Sequence, residues 1–310
     1  MTTGLIRLLA TTSAVLAVLV VATFLMVQLA PGDAAQRIGG IDATPEQLDQ
    51  IRRDFRLDQP MAARFVAYVG GLMQGDLGIS YATREPVARI IADRLGNTLW
   101  LAVTSVAIMA FVAVPLGLIV GGLTWGDRNR GLDIGFVAGT SIAASLPGLL
   151  VATLLAYVFA VWLRWLPVAG ATQWTSVILP ACAIALRPMS ELARMIRVET
   201  LNVLSQDYVR TARAKRMTPV RLYTVHILPN VLTAALTLTG LVFAHLIGGA
   251  VVIENIFAWP GLGTALVQAV MNRDFPVIQG IVLMLGLVII LVNATVDAAL
   301  IAIDPRVARK

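Results

Sequence analysis

Charged side chains are scarce in this sequence: Asp, Glu, Lys and Arg make up 14% of its 310 residues, whereas hydrophobic residues make up 58%. The mean hydropathy is +0.81, which excludes an ordinary water-soluble domain and places most of the chain in lipid. A net charge of +6 would suit a nucleic-acid-binding protein, but the cations lie mostly between hydrophobic runs. The sequence therefore predicts an integral membrane protein with no nucleic-acid partner.

Cysteine, lysine and histidine are nearly absent, and each shortage excludes a kind of chemistry. Cys182 is the single cysteine and has no partner for an intrachain disulfide or a thiolate metal cluster. A phosphate-binding P-loop needs Lys followed by Ser or Thr, but Lys215 precedes Arg and Lys310 is the final residue. His226 and His245 are too far apart along one predicted helix to share a metal. With neither G-x-S-x-G nor H-E-x-x-H, the sequence predicts no catalytic residue, metal or cofactor of its own.

Long hydrophobic runs are abundant. A helix that rises about 1.5 Å per residue needs about 20 apolar residues to cross roughly 30 Å of hydrocarbon. The sequence predicts an all-α membrane protein with six transmembrane helices, at Leu8–Ala30, Leu95–Trp125, Ile134–Leu163, Ser176–Val198, Ile227–Ile253 and Phe275–Val296, the last continuing to Ile303. We interpret the first as an uncleaved anchor, because its 23 uncharged residues exceed the apolar region of a signal peptide.

The arginines predict the orientation of these helices. The N-terminus, the second-to-third connection, the fourth-to-fifth connection and the tail carry an excess of positive charge, which is typical of cytoplasmic segments. The opposite short loops hold only Arg164 and Arg273. Both termini are therefore predicted to be cytoplasmic in a bacterial cytoplasmic membrane.

Three parts follow from this arrangement: an N-terminal transmembrane helix at 1–30, an extracytoplasmic helical insertion at 31–94, and a five-helix core at 95–310. In the insertion, Thr44 followed by Pro45 and Gln47 has the form of a capping box at a helix start. Such an insertion either meets an external partner or caps the helix bundle, and the sequence leaves both open.

The cytoplasmic segment 205–230 is predicted to form two short helices that meet at a sharp turn, with Ser205 capping the first and Thr218 the second. Small residues on the first helix would let another surface approach closely, and cations surround them. This pattern fits a docking element for a partner protein or a helix that binds anionic lipid at the membrane surface.

The same segment resembles the EAA loop of ABC importer permeases. Its run Asp207–Met217, DYVRTARAKRM, is similar to the D-Y-V-R-T-A-R-A-K-G-L of B-type permeases in the dipeptide and oligopeptide branch, and it departs from that run at Arg216 and Met217. The I-x-L-P that ends the pattern is matched by Ile227–Pro229. Further family runs occur at Gly75–Ser80, Pro86–Val87, Asn97–Ala102, Ser145–Pro147, Trp259–Gly263 and Asn272–Asp274.

The resemblance implies a type I ABC importer permease fold and a non-catalytic subunit that moves di- or oligopeptides by alternating access. It implies a heterodimer with a second permease, two cytoplasmic P-loop ATPase domains that use ATP and Mg²⁺, an extracytoplasmic substrate-binding protein, and surrounding membrane lipid. The ATPase-coupling residues would be Asp207, Tyr208, Arg210, Thr211, Ala212, Arg213, Ala214, Lys215, Arg216, Leu228 and Pro229. Glycine at position 216 would favour a left-handed turn, so arginine there either bears strain or adopts an ordinary turn.

The candidates for the translocation path are Arg187, Glu191, Ser145 and Pro147. Near the bilayer centre each charge costs about 2.5–3.5 kcal/mol, so Arg187 and Glu191 should face protein or water and can pair across one helical turn. They form either a structural ion pair against the partner permease or a polar lining for zwitterionic peptide, and Pro188 between them favours a bend.

Cargo and helix packing leave alternatives open. Related permeases carry haem, nickel chelates or glutathione, so the family does not fix a peptide cargo. A secondary transporter would have inverted repeats, which this sequence lacks, and would leave the basic loop unexplained.

The pairs Gly117 with Gly121 and Gly135 with Gly139 provide small faces suited to close helix packing.

Overall fold

The computed structural model describes residues 2–29, 35–36, 43–54, 58–232 and 248–303. These ranges are almost entirely helical and contain one isolated β-bridge, between Ile79 and Pro86. The named helices are α1 (Thr2–Gln28), α2 (Pro45–Asp54), α3 (Met61–Met73), α4 (Val87–Thr124), α5 (Arg130–Ser145), α6 (Gly148–Leu155), α7 (Ile178–Leu204), α8 (Asp207–Ala214), α9 (Pro219–Leu222), α10 (Leu262–Met271) and α11 (Phe275–Ile303).

The chain divides into two compact units. The first comprises residues 97–260 with the end of α11 from Leu291, and the second comprises Thr2–Gly96 and Gly261–Ile290. In the second unit α10 and the start of α11 pack on the start of α4, through Val87, Ile91 and their apolar neighbours. The first unit holds both the segment 205–230 and the candidate path residues.

Four helical stretches among the described residues are long and apolar enough to cross a membrane. They are Thr11–Gln28, Val87–Thr124, Trp174–Leu204 and Phe275–Thr295, and they correspond to the predicted first, second, fourth and sixth spans. The predicted fifth span, Ile227–Ile253, includes residues 233–247, which lie outside the described part of the chain.

The predicted third span is sharply bent. Helices α5 and α6 meet at 98°, and the break falls at Leu146 and Pro147. Proline has no backbone N–H and pushes the preceding residue out of the helical region. Leu146 accordingly has ψ 130° and Pro147 ψ 134°. Helices α5 and α6 make a fifth candidate span only if the two are counted as one bent helix. Pro115, by contrast, lies inside a continuous α4.

Two of the four glycines in the predicted packing faces touch another helix. A Cβ on Gly117 would lie 2.6 Å from the carbonyl oxygen of Ala193, and one on Gly121 would lie 2.8 Å from Cβ of Thr200. These contacts bring α4 directly against the backbone of α7. A Cβ on Gly135 or Gly139 would meet nothing within 4 Å.

Sequence runs that are far apart in the chain meet in the second unit. Asp274 is buried, and its carboxylate accepts hydrogen bonds from Ser80 Oγ (2.5 Å) and from the backbone N–H groups of Tyr81 (3.0 Å) and Ala82 (3.3 Å). The loop that follows Gly75–Ser80 is thereby fixed to the turn between α10 and α11. This contact gives a physical reason for two of the runs that carried the family resemblance.

The contact between α4 and α7 gives a first testable prediction. Gly117→Ala should lower the stability of the detergent-solubilised chain by about 1–3 kcal/mol, because the added methyl group collides with backbone that cannot move independently. The measurement is thermal unfolding monitored by circular dichroism. Gly139→Ala is the matched control and should leave the midpoint unchanged or slightly raised, since alanine is the better helix former. Equal midpoints for the two variants would contradict the prediction.

Candidate coupling segment and transport cavity

The predicted cytoplasmic segment forms two helices that meet at a turn. Helix α8 begins at Asp207 after an extended Gln206, and α9 begins at Pro219 with Thr218 as the residue before it. The prediction that Ser205 caps α8 is wrong, because Ser205 ends α7 and its hydroxyl donates to the carbonyl of Leu201 at 2.9 Å. Helix α9 continues without a break through a π-helical turn at Tyr223–Ile227.

The turn after α8 has the double hydrogen bond of a Schellman motif. The N–H of Arg216 donates to the carbonyl of Arg213 at 2.9 Å, and the N–H of Met217 donates to that of Ala212 at 3.3 Å. This motif places one residue in the left-handed region, where glycine is strongly favoured. Arg216 occupies that position with φ 53°. Of the two conformations left open by the sequence, the structure therefore has the left-handed one.

Helix α8 has one buried and one exposed face. Val209 and Ala212 pack into an apolar cluster with Leu222, Ile227 and their neighbours. Ala212, predicted to lie on the docking face, therefore contacts the chain's own core. The remaining predicted coupling residues are half-buried at Arg213 and Leu228, and exposed at Asp207, Tyr208, Arg210, Thr211, Ala214, Lys215, Arg216 and Pro229.

The segment 205–230, called the coupling segment from here on, is fixed to the end of α4 by two aromatic contacts. The guanidinium of Arg213 lies over the ring of Trp125, 4.0 Å from its centroid. The hydroxyl of Tyr223 lies beside Gly122, so close that a Cβ there would be 1.9 Å from it. Burial raises the pKa of Tyr223 and nearby Arg213 opposes this, so the hydroxyl stays protonated near neutral pH. These two contacts join α8 and the start of the following helix to the end of α4.

A cavity of about 1050 Å³ lies at the break between α5 and α6. All four predicted path residues line it, together with apolar side chains of α7 and of residues 249–253. Arg187 Nε lies 3.3 Å from Glu191 Oε1, and the two side chains are 72% and 48% exposed. Among the described residues that line the cavity, these two are the only charged ones. The predicted ion pair is present, and it lies on an open surface.

The two prolines at this cavity change the backbone around it. The bend at Pro147 separates α5 from α6 and leaves a gap that the cavity occupies. Pro188 lies inside α7, and its missing N–H leaves the carbonyl of Ile184 without its helical donor. Ile184 lines the cavity. Pro188 does not interrupt α7, which is continuous from Ile178 to Leu204.

Sequence reasoning missed a buried carboxylate in the first unit. Glu254 is fully buried and accepts a hydrogen bond from Thr98 Oγ1 at 2.8 Å. Beside it, Trp259 Nε1 donates to the carbonyl of Asn97 at 3.0 Å, and Asn97 Nδ2 donates to that of Pro260 at 2.9 Å. These bonds fix the helix at 248–256, which carries part of the cavity wall, to α4. Glu254 directly follows a predicted span, and nothing in the local sequence distinguishes it from an exposed interfacial acid.

Apolar helices long enough to span a membrane and an open cavity between them are the features of a membrane transport subunit. A family model described as the binding-protein-dependent transport system inner membrane component matches residues 113–309, and a model of the N-terminal part of the same component matches residues 1–102. The chain belongs to this family. It is thus a multi-pass inner-membrane permease subunit of an ABC transporter and not an enzyme.

Individual relatives agree with this assignment over nearly the full length. A peptide transport system permease protein of Brucella suis biovar 1 is 39% identical over 316 residues, covering 99% of each chain. The glutathione transport system permease protein GsiC of Escherichia coli K12 is 39% identical over 290 residues, covering 94% of each. Among solved structures, a chain of the inward-facing MetNI methionine ABC transporter has a TM-score of 0.58 at 16% identity, covering 69% of this chain and 96% of that one. The last similarity supports the fold.

The Schellman turn gives a second prediction. Arg216→Gly should stabilise the chain by about 1 kcal/mol, because glycine relieves the left-handed strain although it loses more chain entropy on folding. The measurement is the midpoint of thermal unfolding in detergent. Arg216→Lys keeps both the charge and the strain and should leave the midpoint where it is. An equal shift in both variants would contradict the prediction, because Arg216→Lys keeps the left-handed residue that Arg216→Gly relieves.

Proposed function

We propose that this chain is one half of the membrane channel of an ATP-driven peptide importer, with six spans, both termini in the cytoplasm and the insertion outside. The observation that carries the peptide assignment is the cavity, in which the charged residues of the described lining form an exposed ion pair of opposite charges. A small peptide is a zwitterion with an apolar body. Its ammonium and carboxylate groups complement Glu191 and Arg187, and its side chains complement the aliphatic wall.

Peptide relatives and a glutathione relative are equally similar to this chain, each at 39% identity. Glutathione is itself a tripeptide with a further carboxylate, so it satisfies the same chemical description. We therefore include it as the second candidate cargo. Uptake of a radiolabelled dipeptide and of glutathione, measured side by side in cells with and without this chain, distinguishes the two.

ATP hydrolysis belongs to partner chains in this proposal. The exposed face of α8 docks in a cleft of a cytoplasmic ATPase, and the Arg213–Trp125 contact transmits its displacement into α4. ATP favours one arrangement of the ATPase pair, and the docked helix couples that preference to an inward-open or outward-open path. A second permease completes the cavity and an external binding protein delivers the cargo.

The two faces of α8 give a third prediction. Ala214→Trp adds a bulky side chain on the exposed face, so it should abolish co-purification of the ATPase while the unfolding midpoint of the chain stays unchanged. Ala212→Trp adds the same group on the buried face and should lower the midpoint by an amount equivalent to about 1–3 kcal/mol. The measurements are affinity purification with mass spectrometry, and thermal unfolding. Retention of the ATPase by the Ala214→Trp variant would contradict docking through this face.

The ion pair gives a fourth prediction. Replacing Arg187 and Glu191 together by glutamine should reduce peptide uptake at least about tenfold, since each lost charge-assisted contact is worth roughly 1.5–3 kcal/mol. Uptake is measured in a strain that lacks the native chain, and assembly with the partners is checked by purification. The matched control is Asp49→Asn with Arg52→Gln, which removes an exposed ion pair of the insertion, 2.7 Å between its atoms. Normal uptake with normal assembly would remove the pair from the transport mechanism.

A further inference from the structure

A second cavity, of about 420 Å³, lies beside the coupling segment and has no role in the transport path. It is lined by the loop after α4, the start of α5 and the end of α7. Its charged residues are Asp127, Arg128, Arg130, Asp133 and Arg197. It shares no lining residue with the peptide cavity, and of its lining residues the proposed mechanism uses Trp125 alone.

Among the charged residues that line this cavity, arginines outnumber carboxylates. Asp133 and Arg197 form an ion pair that ties α5 to α7. Even so, Arg197 Nε is buried without a hydrogen-bond partner. Arg128 and Arg130 are exposed, and no ion pair within the described part of the chain involves either of them. Three arginines thus line the cavity against two carboxylates, Asp127 and Asp133, and the arginine that is paired has one donor unused. The site is complementary to an anion with several acceptor oxygens, such as a phosphate group.

The surroundings distinguish a lipid phosphate from a soluble one. Exposed aliphatic side chains adjoin the cavity in sequence on both sides, at Leu123 on α4 and at Leu132 and Ile134 on α5. Trp125, which also lines the cavity, is the residue type enriched where hydrocarbon meets water. An amphiphile satisfies both features, because its headgroup can occupy the basic cavity while its acyl chains cover the aliphatic surface. A free phosphate or nucleotide would leave that surface unused.

We propose that this cavity binds the headgroup of an anionic phospholipid such as phosphatidylglycerol. Trp125 connects the site to transport, since one side of this residue lines the cavity and its ring carries the Arg213 guanidinium of α8. A bound lipid holds the loop at residues 125–130 beneath the coupling segment. The inference concerns binding alone and does not depend on cargo or on ATPase activity.

The test is native mass spectrometry of the full-length chain, released from micelles that contain equal amounts of phosphatidylglycerol and phosphatidylcholine. The wild-type chain should retain phosphatidylglycerol in preference to phosphatidylcholine. Arg128→Gln with Arg130→Gln should reduce that retention about tenfold or more, because each basic residue near an anionic headgroup contributes substantially to binding. Both arginines are exposed and unpaired, so the double variant should fold, as checked by its unfolding midpoint.

The matched control is Arg84→Gln with Arg89→Gln, which removes two exposed arginines far along the chain in the second unit and should retain phosphatidylglycerol like the wild type. Equal retention of both lipids by the wild type, or unchanged retention by the double variant, would overturn the proposal. Displacement of phosphatidylglycerol by millimolar inorganic phosphate would also overturn it in favour of a free-anion site. Loss of ATPase co-purification with unchanged lipid retention would identify the cavity as a protein contact instead.

Discussion

The absence of water from the hydrocarbon core is the constraint on which this structure depends, because every backbone donor and acceptor there must be satisfied within the protein. Helix interiors meet this requirement by themselves, and helix ends do not. Helix ends outside the predicted spans are also closed within the protein: four helices in the described part of the chain end with the same pair of backbone hydrogen bonds, and the left-handed residues of these turns are Gly75, Arg216, Ala258 and Arg273. Three of the four are not glycine and each bears roughly 1–2 kcal/mol of strain. The two backbone hydrogen bonds that close each turn offset this strain.

The same constraint governs charge, and the carboxylates of this chain meet it in two different ways. Glu254 is buried but hydrogen-bonded to Thr98, and Asp274 is buried and accepts three hydrogen bonds. Both therefore meet the requirement for pairing inside the protein. Arg187 and Glu191 contact one another at 3.3 Å yet remain largely exposed to a cavity. A charge pair that the fold leaves accessible within an apolar segment has its remaining hydrogen-bonding capacity available for a ligand.

Much of this arrangement could be predicted from the sequence, because hydrophobic length and local capping act over a few residues. The capping box at Thr44 is present, with both reciprocal hydrogen bonds to Gln47. The sequence alone could not show that the chain bends at Pro147 but stays helical at Pro115, because the effect of each proline depends on what packs against it. Burial of Glu254 depends on Thr98, a residue 156 positions away. A contact between residues so far apart in the sequence cannot be recognised from the local pattern around either one.

The exposed cavity argues for the second permease subunit. Its wall combines a charge pair with aliphatic residues that are largely exposed in this chain, Leu149 at 58% and Val252 at 52%. Lipid would suit the aliphatic residues but not the charges, which cost about 2.5–3.5 kcal/mol each when they face hydrocarbon. Water would suit the charges but not the aliphatic residues. Both conditions are met when a second protein surface closes the open side and encloses a water-filled path, so the composition of this wall favours a site shared between two chains.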